Sequence, residues 1–234
     1  MEPINDLDEY IATRTAWHTL GERVLAPARH AVTGRIGLRA GPGGVTTPPF
    51  DLTNGDTRTV AIDGTELIVT DAERTRRRAI TTLGDAAEFV GTDAAADTGV
   101  FTATTPADPA LPLAVAPAAA RALGDWFAFG ARVLTRWRAE RAGDTPTEIQ
   151  LWPEHFDLGL DLGPEAGRAN YGASPGDGGH ELPYLYVGPW NATDHAFWNA
   201  GSYARLGYED LVAAPDPDGR ALEFFAQGYA VANS

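Results

Sequence analysis

Between Trp152 and Trp190 the chain gathers the residue types that hold and transform small molecules: His155, Asp157, Arg168, Asn170, Tyr184 and Tyr186, with a tryptophan at each end. Within Leu151-Trp152-Pro153-Glu154-His155-Phe156-Asp157-Leu158, polar and apolar residues alternate from His155 onward. Successive side chains of a strand point to opposite faces, so a strand here puts His155, Asp157 and Asp161 on one side and Phe156, Leu158 and Leu160 on the other. The apolar row belongs to a core, which leaves the His/Asp row facing solvent or a cavity. Neighbouring strands add Arg168 and Asn170, then Tyr184 and Tyr186, with Trp152 and Trp190 at the rim. Aromatic walls around a few convergent polar groups suit a small-molecule pocket. An antiparallel sheet with one wet face alternates in the same way.

Three kinds of function fit these residues. In a small-molecule binder or cofactor-independent enzyme, His155 is the acid/base, Asp157 orients it and Arg168 holds an anion or oxyanion. In a metal enzyme, His155 and Asp157 join His180 or His195 as a two-His-one-carboxylate iron site or a zinc site. In a non-catalytic interaction protein, the exposed Trp and Tyr residues bind a partner. Enzyme and binding protein both stay open, and no pattern names a cofactor or an oligomeric state.

Other chemistries drop out. There is no Cys, hence no disulfide, thiolate ligand or Cys nucleophile, and no Lys, hence no Schiff base or phosphate-loop lysine. Neither a Gly-x-Ser-x-Gly elbow nor a dinucleotide fingerprint is present. The glycine-rich stretch from Ala173 to His180 lacks phosphate-loop spacing and reads as a turn. Net charge is −14, and the one basic run, Arg74 with Arg76 to Arg78, is short, which argues against nucleic acid. An acidic, polar start and the lack of any long apolar stretch argue against secretion and a membrane, so a cytoplasmic location is expected. There the sequon Asn191-Ala192-Thr193 has no role.

The surrounding elements follow from periodicity. A helix is expected from Asp6 to Val32, kinked at Pro27 and stopped by Gly34, then a strand from Gly34 to Arg39 and a Gly-rich loop at Gly41 to Gly44. Asp63-Gly64 between two strand-like runs predicts a hairpin with a type I′ turn. Thr82-Leu83-Gly84-Asp85 resembles a capping box that opens a helix ending at Gly91, with a polar loop following to Asp108. A long helix should run from Pro117 to Arg141, burying Ala120, Leu123, Phe127, Leu134 and Trp137. A phase slip at Pro153-Glu154 predicts a bend just before the His155 strand. Asp216-Pro217 caps a final helix. The expected fold is a single α+β domain over residues 1–234, largely antiparallel, with about four to five helices. Gly34-Arg35…Ala40…Pro42-Gly43 is echoed by Gly167-Arg168…Ala173…Pro175-Gly176, which suggests a pseudo-repeat of helix–strand–loop units with halves 1–110 and 111–234.

The runs Leu-Trp-Pro-Glu-His-Phe-Asp-Leu (151–158), Asn-Tyr-Gly-Ala-Ser-Pro-Gly-Asp (170–177) and Pro-Tyr-Leu-Tyr (183–186) resemble a domain-of-unknown-function family of high-GC Gram-positive bacteria. The likeness covers about 40 residues, and the Gly34–Gly44 segment and the long helix resemble the family too. It implies no activity.

Overall fold

The structure is a computed structural model that describes residues 2–191 and 194–234; the last two positions of the sequon lie outside them. The fold is α+β, a single domain with two antiparallel sheets. Within it the chain gathers into two compact units that interleave along the sequence. One holds Ile4–Ala128 with Leu151–Phe156, the other Phe129–Gln150 with Asp157–Ser234. The division does not follow halves 1–110 and 111–234. Among the described residues no helix is long and apolar enough to cross a membrane.

The first unit opens on helix α1 (Leu7–Leu20), capped by Asp6, whose carboxylate accepts from the Glu9 amide at 2.9 Å. A π-helical turn (Gly21–Leu25) follows and passes into α2 (Ala26–Thr33). The irregularity thus falls one turn before Pro27, which starts α2 where its missing N–H is harmless. Gly34 ends α2 in the left-handed conformation, φ 68°. The strand expected at Gly34 is therefore shorter and later, β1 (Arg39–Gly41), because the cap uses the first residues of the run. Strands β2 (Gly44–Thr46), β3 (Phe50–Asp51), β4 (Thr57–Asp63), β5 (Glu66–Asp71) and β6 (Arg74–Ala79) complete a sheet of order β1-β2-β4-β5-β6, with β3 also on β4.

Asp63 pairs with Glu66, so the hairpin loop is Gly64-Thr65, and only Gly64 has positive φ. That excludes the expected type I′ turn, which needs two such residues, and matches a glycine-first type II′ turn. The arginine run is the edge strand β6. Arg76 and Arg78 lie over the Phe89 ring at 5.0 and 5.1 Å, and charge along such an edge discourages pairing with other chains. Thr82 caps α3 (Leu83–Val90) by accepting from the Asp85 amide, as expected, and Gly91 ends it.

Helix α4 (Pro117–Glu140) passes from the first unit to the second between Ala128 and Phe129. Strand β7 (Gln150–Trp152) then leads into a turn rather than directly into a strand. Phe156 N–H bonds the Trp152 carbonyl at 2.7 Å, and Phe156 takes φ 54°. A left-handed Phe carries strain. Its ring is buried, stacked on His18 at 5.2 Å and edge-on to Phe127 at 5.4 Å, and this packing holds the turn.

In the second unit, β8 (Asp157–Leu162), β9 (Ala169–Ser174), β10 (Tyr184–Pro189) and β11 (Ala204–Gly207) run antiparallel in that order. Helices α5 (Tyr208–Val212) and α6 (Pro217–Ala232) follow, the latter capped by Asp216. One sheet face carries Leu158, Leu160, Leu162, Tyr171, Ala173, Leu185, Val187 and Leu206, all buried. Trp137, Tyr171 and Phe225 cluster there with ring centroids 5.6 to 6.1 Å apart, and Gly130 of α4 lies so close to Ala173 that a Cβ would come within 2.7 Å of it. Asn199 brackets Arg205 with two hydrogen bonds, which occupies the outer edge of β11.

The sequence echo has unlike settings. Gly34 is a helix cap before a three-residue strand, whereas Gly167 ends a 3₁₀ turn before a six-residue one. Gly43 and Gly176 do share positive φ, which Pro-Gly turns impose anywhere.

Replacing Phe156 by Ala should cost about 3 kcal/mol or more, as loss of a buried aromatic does. Urea denaturation reads this directly, and a loss under about 1 kcal/mol would contradict the packing described.

Candidate functional site

The polar face of the second unit's sheet is built by register. Gly159 lies opposite Gly172, Gly172 opposite Tyr186, and Tyr186 opposite Arg205. In the next row Asp161, Asn170 and Gly188 are partners, and Tyr184 faces Ser174 on the other side. Cross-strand partners point the same way, so these side chains and Asp157 share one face.

Two glycines let Tyr186 lie down on it. A Cβ at Gly172 would collide with the Tyr186 ring, and one at Gly159 would sit 3.2 Å from its hydroxyl. That hydroxyl donates to Asp157 Oδ2 at 2.5 Å. Burial, then the nearby Asp157 charge, pushes the Tyr186 phenol well above its ordinary pKa. Tyr184 is raised too, by burial and by its own bond to Asp177 Oδ2 at 2.5 Å. Both phenols stay protonated and serve as donors.

Asp177 also closes the Ala173–His180 loop. Its Oδ1 accepts from the amides of Gly179 and His180 at 2.6 and 2.9 Å. Amides that could have cradled an outside anion are answered by the chain's own carboxylate. His180 meets Tyr184 edge-on at 5.4 Å, and burial, then the Arg205 charge, lowers its pKa, so it is neutral at pH 7.

At the far end of the face stands Trp190, 62% exposed. Its amide bonds the Arg168 carbonyl at 2.9 Å, its indole N–H donates to Asp161 Oδ1 at 3.0 Å, and the Arg168 guanidinium lies over the ring at 5.3 Å. Asn170 Nδ2 shares the same Asp161 oxygen at 3.3 Å, while Asn170 Oδ1 is buried with no partner. Gly188 lies in sequence between Tyr186 and Trp190; it pairs with Asn170 of β9, and Tyr203 lies near it. A Cβ there would meet nothing nearer than Tyr203 Cβ at 3.9 Å. The missing side chain leaves the strand open at this point between Tyr186 and the exposed Trp190.

Of the residues singled out by sequence, Asp157, Arg168, Asn170, Tyr184, Tyr186 and Trp190 belong to this sheet or its rim. Trp152 and His155 fall in the other compact unit, Trp152 ending β7 and His155 exposed in the turn after it. The shared strand face of His155 and Asp157 does not hold, because the strand begins at Asp157 and the left-handed Phe156 separates the two. Among the described residues His155 bonds no carboxylate, so Asp157 does not orient it. The alternative metal centre fails on the same geometry: no group of three His, Asp or Glu among the described residues could hold an ion, and His195 Nδ1 instead accepts from the Phe197 amide at 3.0 Å. Sequence reading missed Gly188, Tyr203 and the loop-closing role of Asp177. A glycine inside a strand was the available sign of the first.

The first unit holds a second polar centre that alternation could not reveal. The π-helical turn aims Glu22, 1% exposed, at the loop after α3. Its carboxylate accepts from the amides of Thr104 and Thr105 at 2.8 to 3.1 Å and from both hydroxyls. Arg23 donates to the Thr105 carbonyl through Nε, at 3.0 Å, and Nη2. Glu22, Arg23, Phe101 and neighbouring loop residues line a cavity of about 260 Å³. Burial alone would raise the Glu22 pKa, but His18 and the threonine donors together outweigh it and hold it at about 2. Such a carboxylate pins a loop; it is too weak a base to move protons near neutrality.

Comparison of the chain with family models, with curated proteins and with solved structures finds no match in any of the three.

The Glu22 shift fixes a pH dependence. Its folded pKa lies below the unfolded value, so its contribution is full above about pH 4.5 and disappears as pH falls through about 2. The stability gap between wild type and Glu22→Gln should therefore narrow by on the order of 2 to 3 kcal/mol across that window. Denaturant titrations of both proteins from pH 6 downward measure it; a gap constant with pH would contradict the charged, capped carboxylate.

Proposed function

We propose that this chain is a small-molecule-binding protein and that its ligand sits on the polar face of the β8–β11 sheet, around Gly188. The observation that carries the reading is a pair of aromatic side chains fixed on one sheet face, one of them largely exposed, with a glycine between them. Tyr186 and Trp190 are both held in place before any ligand arrives, by Asp157 and by Asp161 with Arg168. Ordering long side chains on binding costs affinity, so rings already fixed by hydrogen bonds favour it.

Acid/base chemistry has less support. His155, the acid/base expected from the sequence, lies in a turn of the other unit, and the Tyr184 and Tyr186 hydroxyls are already bonded to Asp177 and Asp157. Asp157 and Asp161 accept hydrogen bonds from Tyr186, Trp190 and Asn170, which makes them positioning groups for the rings. Binding needs only this much.

Gly188→Leu is the discriminating variant. Its backbone φ is not left-handed and its Cβ has room, so the fold should survive, while the larger side chain covers the face at that point. In a ligand-observed NMR screen of small polar compounds, hits on wild type should weaken by about tenfold or more on the variant. Equal binding to both proteins, with unchanged circular dichroism, would place the ligand elsewhere and end the reading.

A further inference from the structure

The cavity beside the π-helical turn is a second site, independent of the one on the β8–β11 sheet, and we infer that it takes a small zwitterion, a molecule joining one ammonium to one carboxylate. The cavity lies wholly within the first unit. Its walls come from the π-helical turn, with Glu22 and Arg23, and from the loop after α3, with Asp97, Phe101 and Thr102. Its volume of about 260 Å³ falls just under the roughly 300 to 1,000 Å³ of pockets for drug-sized ligands, so the occupant is smaller than those. Single π-helical turns recur at functional sites, and here the turn and the cavity coincide.

The polar groups of the wall divide into committed and uncommitted ones. Glu22 is committed, its carboxylate closed by the amides and hydroxyls of Thr104 and Thr105. Arg23 is committed on one side only. Its Nε and Nη2 both donate to the Thr105 carbonyl. A guanidinium holds five N–H groups in one fixed plane, so its far end, Nη1 with the second hydrogen of Nη2, keeps the pair of donors that a carboxylate accepts. Among the described residues no carboxylate takes them. Asp97 is the reverse case. Its Oδ1 accepts from the Gly99 amide at 2.8 Å, while Oδ2 has no partner and no cation pairs with it among the described residues. The Thr102 hydroxyl bonds nothing among them either.

Charge selects the class of ligand. An anion reaching Arg23 enters beside the carboxylates of Glu22 and Asp97. A cation reaching Asp97 enters beside Arg23. A neutral molecule leaves both charges without a counterpart. A zwitterion sets its carboxylate on the end of Arg23 and its ammonium on Asp97, so every like-charge approach is offset by an opposite one. Phe101 and the alanines of the wall offer the carbon chain between the two charges an apolar surface.

The experiment follows the Arg23 Nε–H and the Gly99 amide of the full chain by two-dimensional NMR. The probes are glycine, β-alanine, γ-aminobutyrate and 5-aminovalerate, zwitterions of increasing charge separation. Acetate, ethylammonium and acetamide serve as anionic, cationic and neutral controls. Saturable shifts of both signals are expected with at least one zwitterion, with each control binding about tenfold or more weakly. Asp97→Asn keeps an acceptor for the Gly99 amide, and Arg23→Gln keeps a donor for the Thr105 carbonyl, so each removes one charge and spares the loop. Each should weaken the zwitterion about tenfold or more. A control that binds as tightly as the best zwitterion would overturn the ligand class. Zwitterion binding that either variant retains undiminished would overturn the pairing of charges, and silence of both signals toward every probe would overturn the site.

Discussion

The second unit's sheet depends on where the strand after β7 begins. A β-strand has a side-chain period of two, so its first residue decides which face every later one occupies. Here the decision is made by Phe156, forced into a left-handed backbone and compensated by burial of its ring between His18 and Phe127. With the strand starting at Asp157, the leucines of β8 take the core and Asp157, Gly159 and Asp161 take the other face. Antiparallel pairing then carries that assignment through β9, β10 and β11 without further choice.

This is why so much of the face was legible in the sequence and one residue was not. Alternation from Asp157 onward, and again through Asn170 and through Tyr184 and Tyr186, reads correctly because each stretch is a real strand. His155 obeys the same parity on paper. The proline-led turn breaks the period there, and parity says nothing inside a turn. The long helix was equally plain, since its buried stripe repeats over many turns. Less plain were features made by absence or by distance. Gly188 matters through the side chain it lacks, and Glu22 through threonines more than eighty residues away. The hairpin was foreseen, yet its loop sits one residue later, because a single left-handed glycine suffices for the turn it makes.

The two polar centres are contrasting uses of a carboxylate. Glu22 is enclosed by donors until it has nothing left to offer a ligand. Asp161 collects two donors on one oxygen and thereby fixes an exposed indole in space. The first arrangement stiffens a long loop that has no regular structure of its own. The second leaves an aromatic surface open to solvent and fixed in orientation.

The π-helical turn between α1 and α2 carries a historical meaning as well. Such a turn accommodates one residue more than an α-helix would, and it is the mark a single-residue insertion leaves in a helix. Removing one residue between Gly21 and Leu25 would restore a regular helix and take away the wide turn from which Glu22 and Arg23 project. Glu22 and Arg23 could then no longer both face Thr105, and the loop they hold would lose its anchor. The anchoring of that loop therefore depends on the number of residues in a single helical turn as much as on their chemistry.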